Sequence, residues 1–309
     1  MFFENLGFKY VGPIDGHNLA DVIAVLKRAK EMKRPVLVHL ITNKGQGHEH
    51  AVKDPVGWHG VKPAPKKVTI TAPEPCAAPA PAAVAKPVPM YTDVFGETLL
   101  RLAARDARVM AITAAMSTGT GLVKFGETYP KRFFDVGIAE GHAVTFAAGL
   151  ATEGFRPVCA IYSTFLQRAY DHLVHDVAIQ HLPVIFCLDR AGLAGEDGAT
   201  HHGCLDLAYL STVQDMVVAA PKDGNELRDL MFTALAYDKG PFAIRFPKDS
   251  AWRYDGEEKY TAIPLGSWET VHNGSDICIL AVGSMVKTAH EVAERLEAGG
   301  ITSEIVNCR

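Results

Sequence analysis

Glu140 stands in the run Asp135-Val136-Gly137-Ile138-Ala139-Glu140-Gly141-His142-Ala143, where a short apolar strand delivers its carboxylate to the entry of an Ala- and Gly-rich helix. Among Val136, Ile138, Ala139, Ala143, Val144 and Phe146 a carboxyl group is poorly solvated. A carboxyl group so placed is expected to share a proton with a nitrogen heterocycle. The same residue could instead serve the helix dipole from the N-terminal turn. Further on, the apolar run Pro183-Val184-Ile185-Phe186-Cys187-Leu188 empties into a polar, glycine-dense loop, 189–203, that carries Arg190, Asp197, His201 and His202. Between the two, Ala160-Ile161-Tyr162-Ser163-Thr164-Phe165 turns from strand to helix, with Arg168 following. Ligands of open α/β sheets bind beyond the carboxyl ends of the strands, so three strand ends in series carry ionisable or aromatic groups where chemistry is done.

The elements that must position these groups read as an α/β fold with a doubly wound parallel sheet. Strands are predicted at 109–113, 157–161, 183–188, 216–220 and 242–246, with helices between them, one of them running from an N-cap at Asp223 to Ala236. This unit is expected over 90–255. Before it, residues 1–60 read as the tail of another α/β domain. Asn18 caps a helix there with Leu19, Val22, Ile23 and Leu26 on one face, and Pro35 to Ile41 forms a strand buried on both faces. Residues 61–89 are rich in Pro, Ala and Lys, cannot bury enough apolar surface to offset ordering, and are expected to be an extended linker. A third unit, 256–309, opens with the strand 276–283 and a helix from Lys287 to Leu296. No internal repeat occurs at solenoid periods.

The chain has 309 residues, enough for about two domains, and a formal net charge of -4, which leaves no basic surplus for nucleic acid or an anionic membrane. Its six cysteines include no C-x-x-C pair, and Cys159, Cys187 and Cys278 sit in apolar strands or at their edges, as reduced core thiols do. No apolar run reaches the length of a membrane span, and the first residues lack the charged start of a signal peptide. A cytoplasmic location is expected.

Taken together, these segments resemble the 1-deoxy-D-xylulose-5-phosphate synthases, thiamine diphosphate enzymes of the transketolase superfamily. The resemblance extends to Gly12-Pro13-Ile14-Asp15-Gly16-His17, Lys44-Gly45-Gln46-Gly47, Asp54-Pro55 with Trp58-His59-Gly60, and Arg245-Phe246-Pro247-Lys248. It implies a transferase that decarboxylates pyruvate and joins the two-carbon unit to glyceraldehyde 3-phosphate, working as a homodimer. It also implies that the cofactor's diphosphate and Mg2+ are held through a Gly-Asp-Gly motif and downstream Asn ligands on a part of the family's fold that this chain lacks, since no Gly-Asp-Gly occurs here. The chain thus reads as a fragment without most of the N-terminal and C-terminal domains. A catalytically incomplete partner subunit is the alternative, and a pyruvate dehydrogenase β-like subunit is a further one that leaves loop 189–203 unexplained.

The resemblance implies a role for each candidate residue. Glu140 hydrogen-bonds the ring nitrogen of the cofactor's aminopyrimidine. Phe165 stacks on that ring, although an aromatic after a strand also serves as plain core, and Met116 shapes the pocket or fills core. His59, Asp197 and His201 hydrogen-bond or protonate the reacting groups, with a structural histidine the alternative for His59. Arg190, Lys248, Tyr162 and Arg168 face the acceptor's phosphate, for which the planar fork of arginine is the better match. The chain departs from the family twice. Lys248-Asp249 replaces Arg-Gly, so Asp249 is expected to compete for the lysine, and Gly141 replaces the usual Gln after the acid.

Overall fold

The computed structural model describes residues 2–59 and 88–309. The chain divides into two compact units, Met1–Ala80 and Pro81–Arg309. The expected linker, 61–89, lies outside the described residues except for its last two positions.

In the first unit, α1 (Phe2–Asn5) precedes β1 (Lys9–Asp15), α2 (Leu19–Glu31), β2 (Val36–Ile41) and α3 (Glu49–Lys53). Asn18 caps α2 as predicted, its side-chain oxygen accepting the Asp21 N–H at 3.3 Å. β1 and β2 pair in parallel. The expectation that β2 is buried on both faces fails, because its residues are half-buried or exposed. Its sheet has two strands and is packed by α1 and α2, which leaves the outer part of the strand uncovered.

The second unit holds a six-stranded, all-parallel sheet in the order β4-β3-β5-β6-β8-β7. Its strands are β3 (Val109–Thr113), β4 (Phe133–Asp135), β5 (Arg156–Tyr162), β6 (Ile185–Asp189), β7 (Val217–Ala219) and β8 (Phe242–Arg245). Every residue of β3, β5 and β6 is buried, the signature of strands covered on both faces. On one face, α4 (Tyr91–Arg105) and α10 (Gly224–Ala236) bury Val94, Phe95, Leu99, Leu227 and Leu230 against Val109, Val158, Ile185 and Phe242. On the other, α6 (Glu140–Thr152) lays Ala143, Val144, Ala147 and Ala148 against Ile112, Cys159 and Ile161. Alanines let α6 approach the strands closely, and alternate strand residues feed the two cores, as the predicted doubly wound sheet requires. The predicted N-cap at Asp223 is present, its carboxylate accepting the Glu226 N–H at 2.8 Å.

Four shorter helices, α5 (Val123–Thr128), α7 (Ser163–Leu166), α8 (Tyr170–His172) and α9 (Asp206–Leu210), complete this layer. A 3-10 turn, Gln167–Ala169, joins α7 to α8, and a π-helical turn, Leu173–Ala178, follows α8. Beyond residue 255, β9 (Glu269–His272), β10 (Ile277–Ala281) and β11 (Ser303–Asn307) form a sheet in the order β10-β11-β9 with α11 (Met285–Ala298) against it. Glu226 of α10 ties this sheet to the larger one. It has 2 % side-chain exposure and accepts Asn307 Nδ2 at 2.9 and 3.1 Å and Arg309 Nη1 at 3.2 Å.

Candidate functional site

The carboxyl ends of β3, β4, β5 and β6 lie side by side, with Thr113 level with Asp135 and Tyr162 level with Asp189. Asp135 fixes the first of these ends: its Oδ1 accepts the N–H groups of Ala115 at 2.8 Å and Gly137 at 3.0 Å. Gly137 has φ +71, where a side chain is strained, and that reversal swings the chain from β4 into α6. The strand therefore stops at Asp135, earlier than the sequence suggested, and Ile138 is 81 % exposed instead of walling the acid. Glu140 is nonetheless 4 % exposed. It is the first residue of α6, and its Oε1 receives Arg168 Nη1 at 3.3 Å. The guanidinium expected on a phosphate is thus used on the acid.

Phe165 of α7 stacks on Tyr162 with centroids 5.7 Å apart and planes 12° apart, and His201 packs edge-on against Phe165 at 5.3 Å. Arg190 lies over the opposite part of the cluster, its Cζ 4.1 Å from the Tyr162 ring centroid. Gly119 makes this contact possible: a Cβ there would stand 2.0 Å from Tyr162 Oη, and its carbonyl accepts Arg190 Nη1 at 2.6 Å. Burial pushes the Tyr162 hydroxyl up to about 12 against the opposing charge of Arg190, so the phenol stays a hydrogen-bond donor.

Loop 189–203 is closed at its neck by Gly192 and Gly203, which exchange N–H···O bonds of 2.8 Å. Asp189, 1 % exposed, accepts Thr92 Oγ1 at 2.6 Å and the Arg190 N–H at 2.7 Å, and its Oδ2 lies 3.0 Å from Arg190 Nη1. Burial raises its pKa and outweighs the Arg190 charge and these hydrogen bonds. Asp197 shifts the other way. Its partial burial is outweighed by the Lys248 hydrogen bond and by the charges of Lys248, Arg190 and His201, so its carboxyl is held below the usual range. Lys248 Nζ reaches both Asp197 oxygens, at 2.9 and 3.0 Å. The expected competition from Asp249 does not occur, because that carboxylate turns to the Ser250 N–H at 2.7 Å. The lysine is paired across the loop and not with its neighbour.

The structure thus brings together Glu140, Arg168, Phe165, Tyr162, His201, Arg190, Asp197 and Lys248. Met116 is half-buried in the turn after β3, its carbonyl accepting Thr120 Oγ1 at 2.9 Å. His59 belongs to the first unit, exposed in a turn, with its N–H on Val56 O at 3.1 Å. Sequence reasoning missed Thr92, Gly119 and the anchoring role of Asp189. Only Asp189 carried a signal, as an acid at the end of a buried strand.

The second unit is thus a doubly wound parallel α/β domain with an acid, stacked aromatics and cations beyond its strand ends. Residues 88–251 match the family described as the transketolase pyrimidine binding domain, residues 266–309 the transketolase C-terminal domain, and residues 1–42 the 1-deoxy-D-xylulose-5-phosphate synthase family. The chain belongs to the transketolase superfamily and, within it, to the 1-deoxy-D-xylulose-5-phosphate synthase family. It is 52 % identical over 309 residues to the synthase of Thermomicrobium roseum and 52 % identical over 309 residues to that of Aquifex aeolicus, covering 100 % of this chain and 47 % of each relative. The chain therefore spans about half the length of the curated relatives it matches. A solved split-gene transketolase, described as an inactive β4 tetramer, aligns with TM-score 0.62 and 28 % identity over 71 % of this chain and 70 % of its own. A Pichia stipitis transketolase in complex with sedoheptulose 7-phosphate aligns with TM-score 0.64 at 18 % identity, over 72 % of this chain and 35 % of its own, and shows the shared fold.

The family implies thiamine diphosphate with Mg2+ as cofactor. Glu140 and Phe165 fit its pyrimidine half: a buried acid stands beside a half-buried aromatic face, and a two-thirds-exposed arginine closes the gap. Among the described residues no group of three or more His, Cys, Asp or Glu could hold a metal ion, so the fit does not extend to the Mg2+-diphosphate half.

Proposed function

We propose that this chain supplies the pyrimidine-binding part of a thiamine diphosphate-dependent transferase. The reaction takes pyruvate and glyceraldehyde 3-phosphate to 1-deoxy-D-xylulose 5-phosphate and carbon dioxide. The observation that carries the reading is the burial of Glu140, 4 % exposed at the head of α6, because a carboxyl group kept from water beside an aromatic face suits a protonatable heterocycle.

When bound, thiamine diphosphate supplies the nucleophilic carbon and the electron sink for decarboxylation. Glu140 holds a proton at the pyrimidine ring nitrogen, Phe165 stacks on the ring, and Met116 borders it. Arg190 and Lys248 neutralise the acceptor's phosphate, with the Tyr162 hydroxyl as a further donor. His201, beside Phe165, moves a proton at the acceptor's carbonyl oxygen, and Asp197 orients that loop through Lys248. Homodimerisation and a cytoplasmic location belong to the same reading; among the described residues no helix is long and apolar enough to cross a membrane.

A second reading is favoured by the split-gene transketolase described as inactive. On it, this chain reaches activity only with a second polypeptide that grips the diphosphate. Calorimetric titration of thiamine diphosphate with Mg2+ into the chain, beside an assay of glyceraldehyde 3-phosphate-dependent carbon dioxide release, separates the two. Binding that vanishes in Glu140→Gln supports the role of the acid in the first reading, and turnover that appears only on adding a complementary chain supports the second. Undiminished binding and turnover in Glu140→Gln would refute the proposed role of the acid.

A further inference from the structure

We propose that Arg168 is a removable occupant of the pyrimidine seat: its guanidinium stands in for the heterocycle on Glu140 and must leave when the ring enters. The inference rests on the cofactor reading above and adds a residue that governs how readily the seat is filled.

Three observations carry it. The pair is lopsided, because Arg168 Nη1 lies 3.3 Å from Glu140 Oε1 while the glutamate side chain is 4 % exposed and the arginine side chain 65 % exposed. The acid is fixed in the protein and the cation hangs over its mouth. Second, Arg168 Cζ lies 6.0 Å from the Phe165 ring centroid, at the outer reach of a cation–π contact. A planar group that donates an N–H to Glu140 and leans on Phe165 offers the same two contacts as a protonated aminopyrimidine. Third, Glu140 is the one ion-pair partner of Arg168 among the described residues, so releasing the carboxylate breaks no other ion pair.

The chemistry explains why such an occupant is useful. A carboxylate this far from water is costly without a counter-charge. An arginine with an exposed stem supplies that charge while the seat is empty and returns to solvent at small cost, since half-exposed ion pairs contribute little. The phosphate-binding part expected of Arg168 is left to Arg190 and Lys248, which sit together around Asp197 at 3.7 and 2.9 Å.

The test titrates 4-amino-5-hydroxymethyl-2-methylpyrimidine, which carries no diphosphate, into the 309-residue chain and into Arg168→Met, Arg168→Lys and Glu140→Gln, followed by NMR. Arg168→Met binds about three- to tenfold more tightly than the parent, in line with loss of one competing ion pair, Arg168→Lys falls between them, and Glu140→Gln loses binding. In the parent, the Arg168 side-chain Nε–H signal shifts as the probe saturates. Binding that needs Glu140 but is unchanged or weakened in Arg168→Met refutes the displacement and leaves the seat intact. If no variant binds the probe, the pyrimidine seat itself is wrong and the proposal falls with it.

Discussion

Gly141 follows the buried acid directly, where the family pattern has Gln, and the structure explains what a side chain there would meet. A Cβ on Gly141 would lie 2.7 Å from His172 Cε1, 3.0 Å from Nε2 and 3.2 Å from Nδ1. The imidazole occupies the space, so Gly141→Gln must displace it. Overpacking of this kind costs about 1–3 kcal/mol, and replacing a helical glycine recovers about 0.5 kcal/mol. The net loss expected is about 0.5–2.5 kcal/mol. His172 Nδ1 is buried without a partner, so truncating the ring breaks no hydrogen bond at that atom. The Gly141→Gln/His172→Ala double variant should therefore recover at least about 1 kcal/mol relative to the sum of the single changes. The assay is urea unfolding of the four proteins of the cycle by circular dichroism, comparing midpoints at equal slope. Strict additivity, or a Gly141→Gln chain as stable as the parent, would show that the ring and the helix backbone are not in contact and that the geometry of this first turn is misread.

Three further outcomes follow from particular contacts. Glu226→Ala leaves Asn307 and Arg309 without their buried acceptor; it should cost about 3–5 kcal/mol and speed proteolysis between residues 252 and 265, and an unchanged cleavage rate would count against the hub. Lys248→Met removes the hydrogen bond and charge that hold the Asp197 carboxyl low. A depressed carboxyl stabilises the fold above its unfolded pKa and loses that contribution as pH falls through its folded pKa. The variant should thus be less stable than the parent near neutrality and equal to it in strong acid, with the Asp197 titration moved upward in NMR; a stability gap that persists below pH 2 would contradict this. Cys159 and Cys187 are buried thiols whose pKa is raised by burial, whereas Cys204 is exposed. Iodoacetamide should label Cys204 in the native chain and the other two only in urea, as read by peptide mass spectrometry.

Much of the larger sheet was legible because fully buried parallel strands leave continuous apolar runs. β3 falls on the predicted 109–113, and α10 starts where Asp223 marks an N-cap. The shorter pieces left no such mark. β4 is three residues long, too brief to show a period, and its end is set by Asp135 accepting two N–H groups from different segments, a tertiary fact. The exposure of Ile138 depends on the reversal at Gly137, and apolarity alone suggested the opposite. Phe165, His201 and Arg190 could be read as neighbours of chemistry from strand ends and loop composition. That Arg168 would reach Glu140 could not, because the two sit on separate elements, in α6 and in the 3-10 turn at 167–169.

The two aspartates of loop 189–203 show why residue type alone underdetermines a site. Asp189 is sealed beneath Arg190, with Thr92 on its other side, and burial raises its pKa. Asp197, at the mouth of the same loop, is lowered by Lys248, Arg190 and His201. Environments that push two like groups in opposite directions separate their tasks. Asp189 is held too deeply to meet a ligand, and what it controls is Arg190, whose backbone sits at φ +61 and whose N–H and guanidinium it both engages. Asp197 keeps its charge and faces the lysine. A compact ammonium grips that carboxylate without the two-pronged geometry of an arginine, so the Lys248 departure changes the directionality of the pair while preserving its charge, and it leaves Arg190 as the cation that faces the Tyr162 ring.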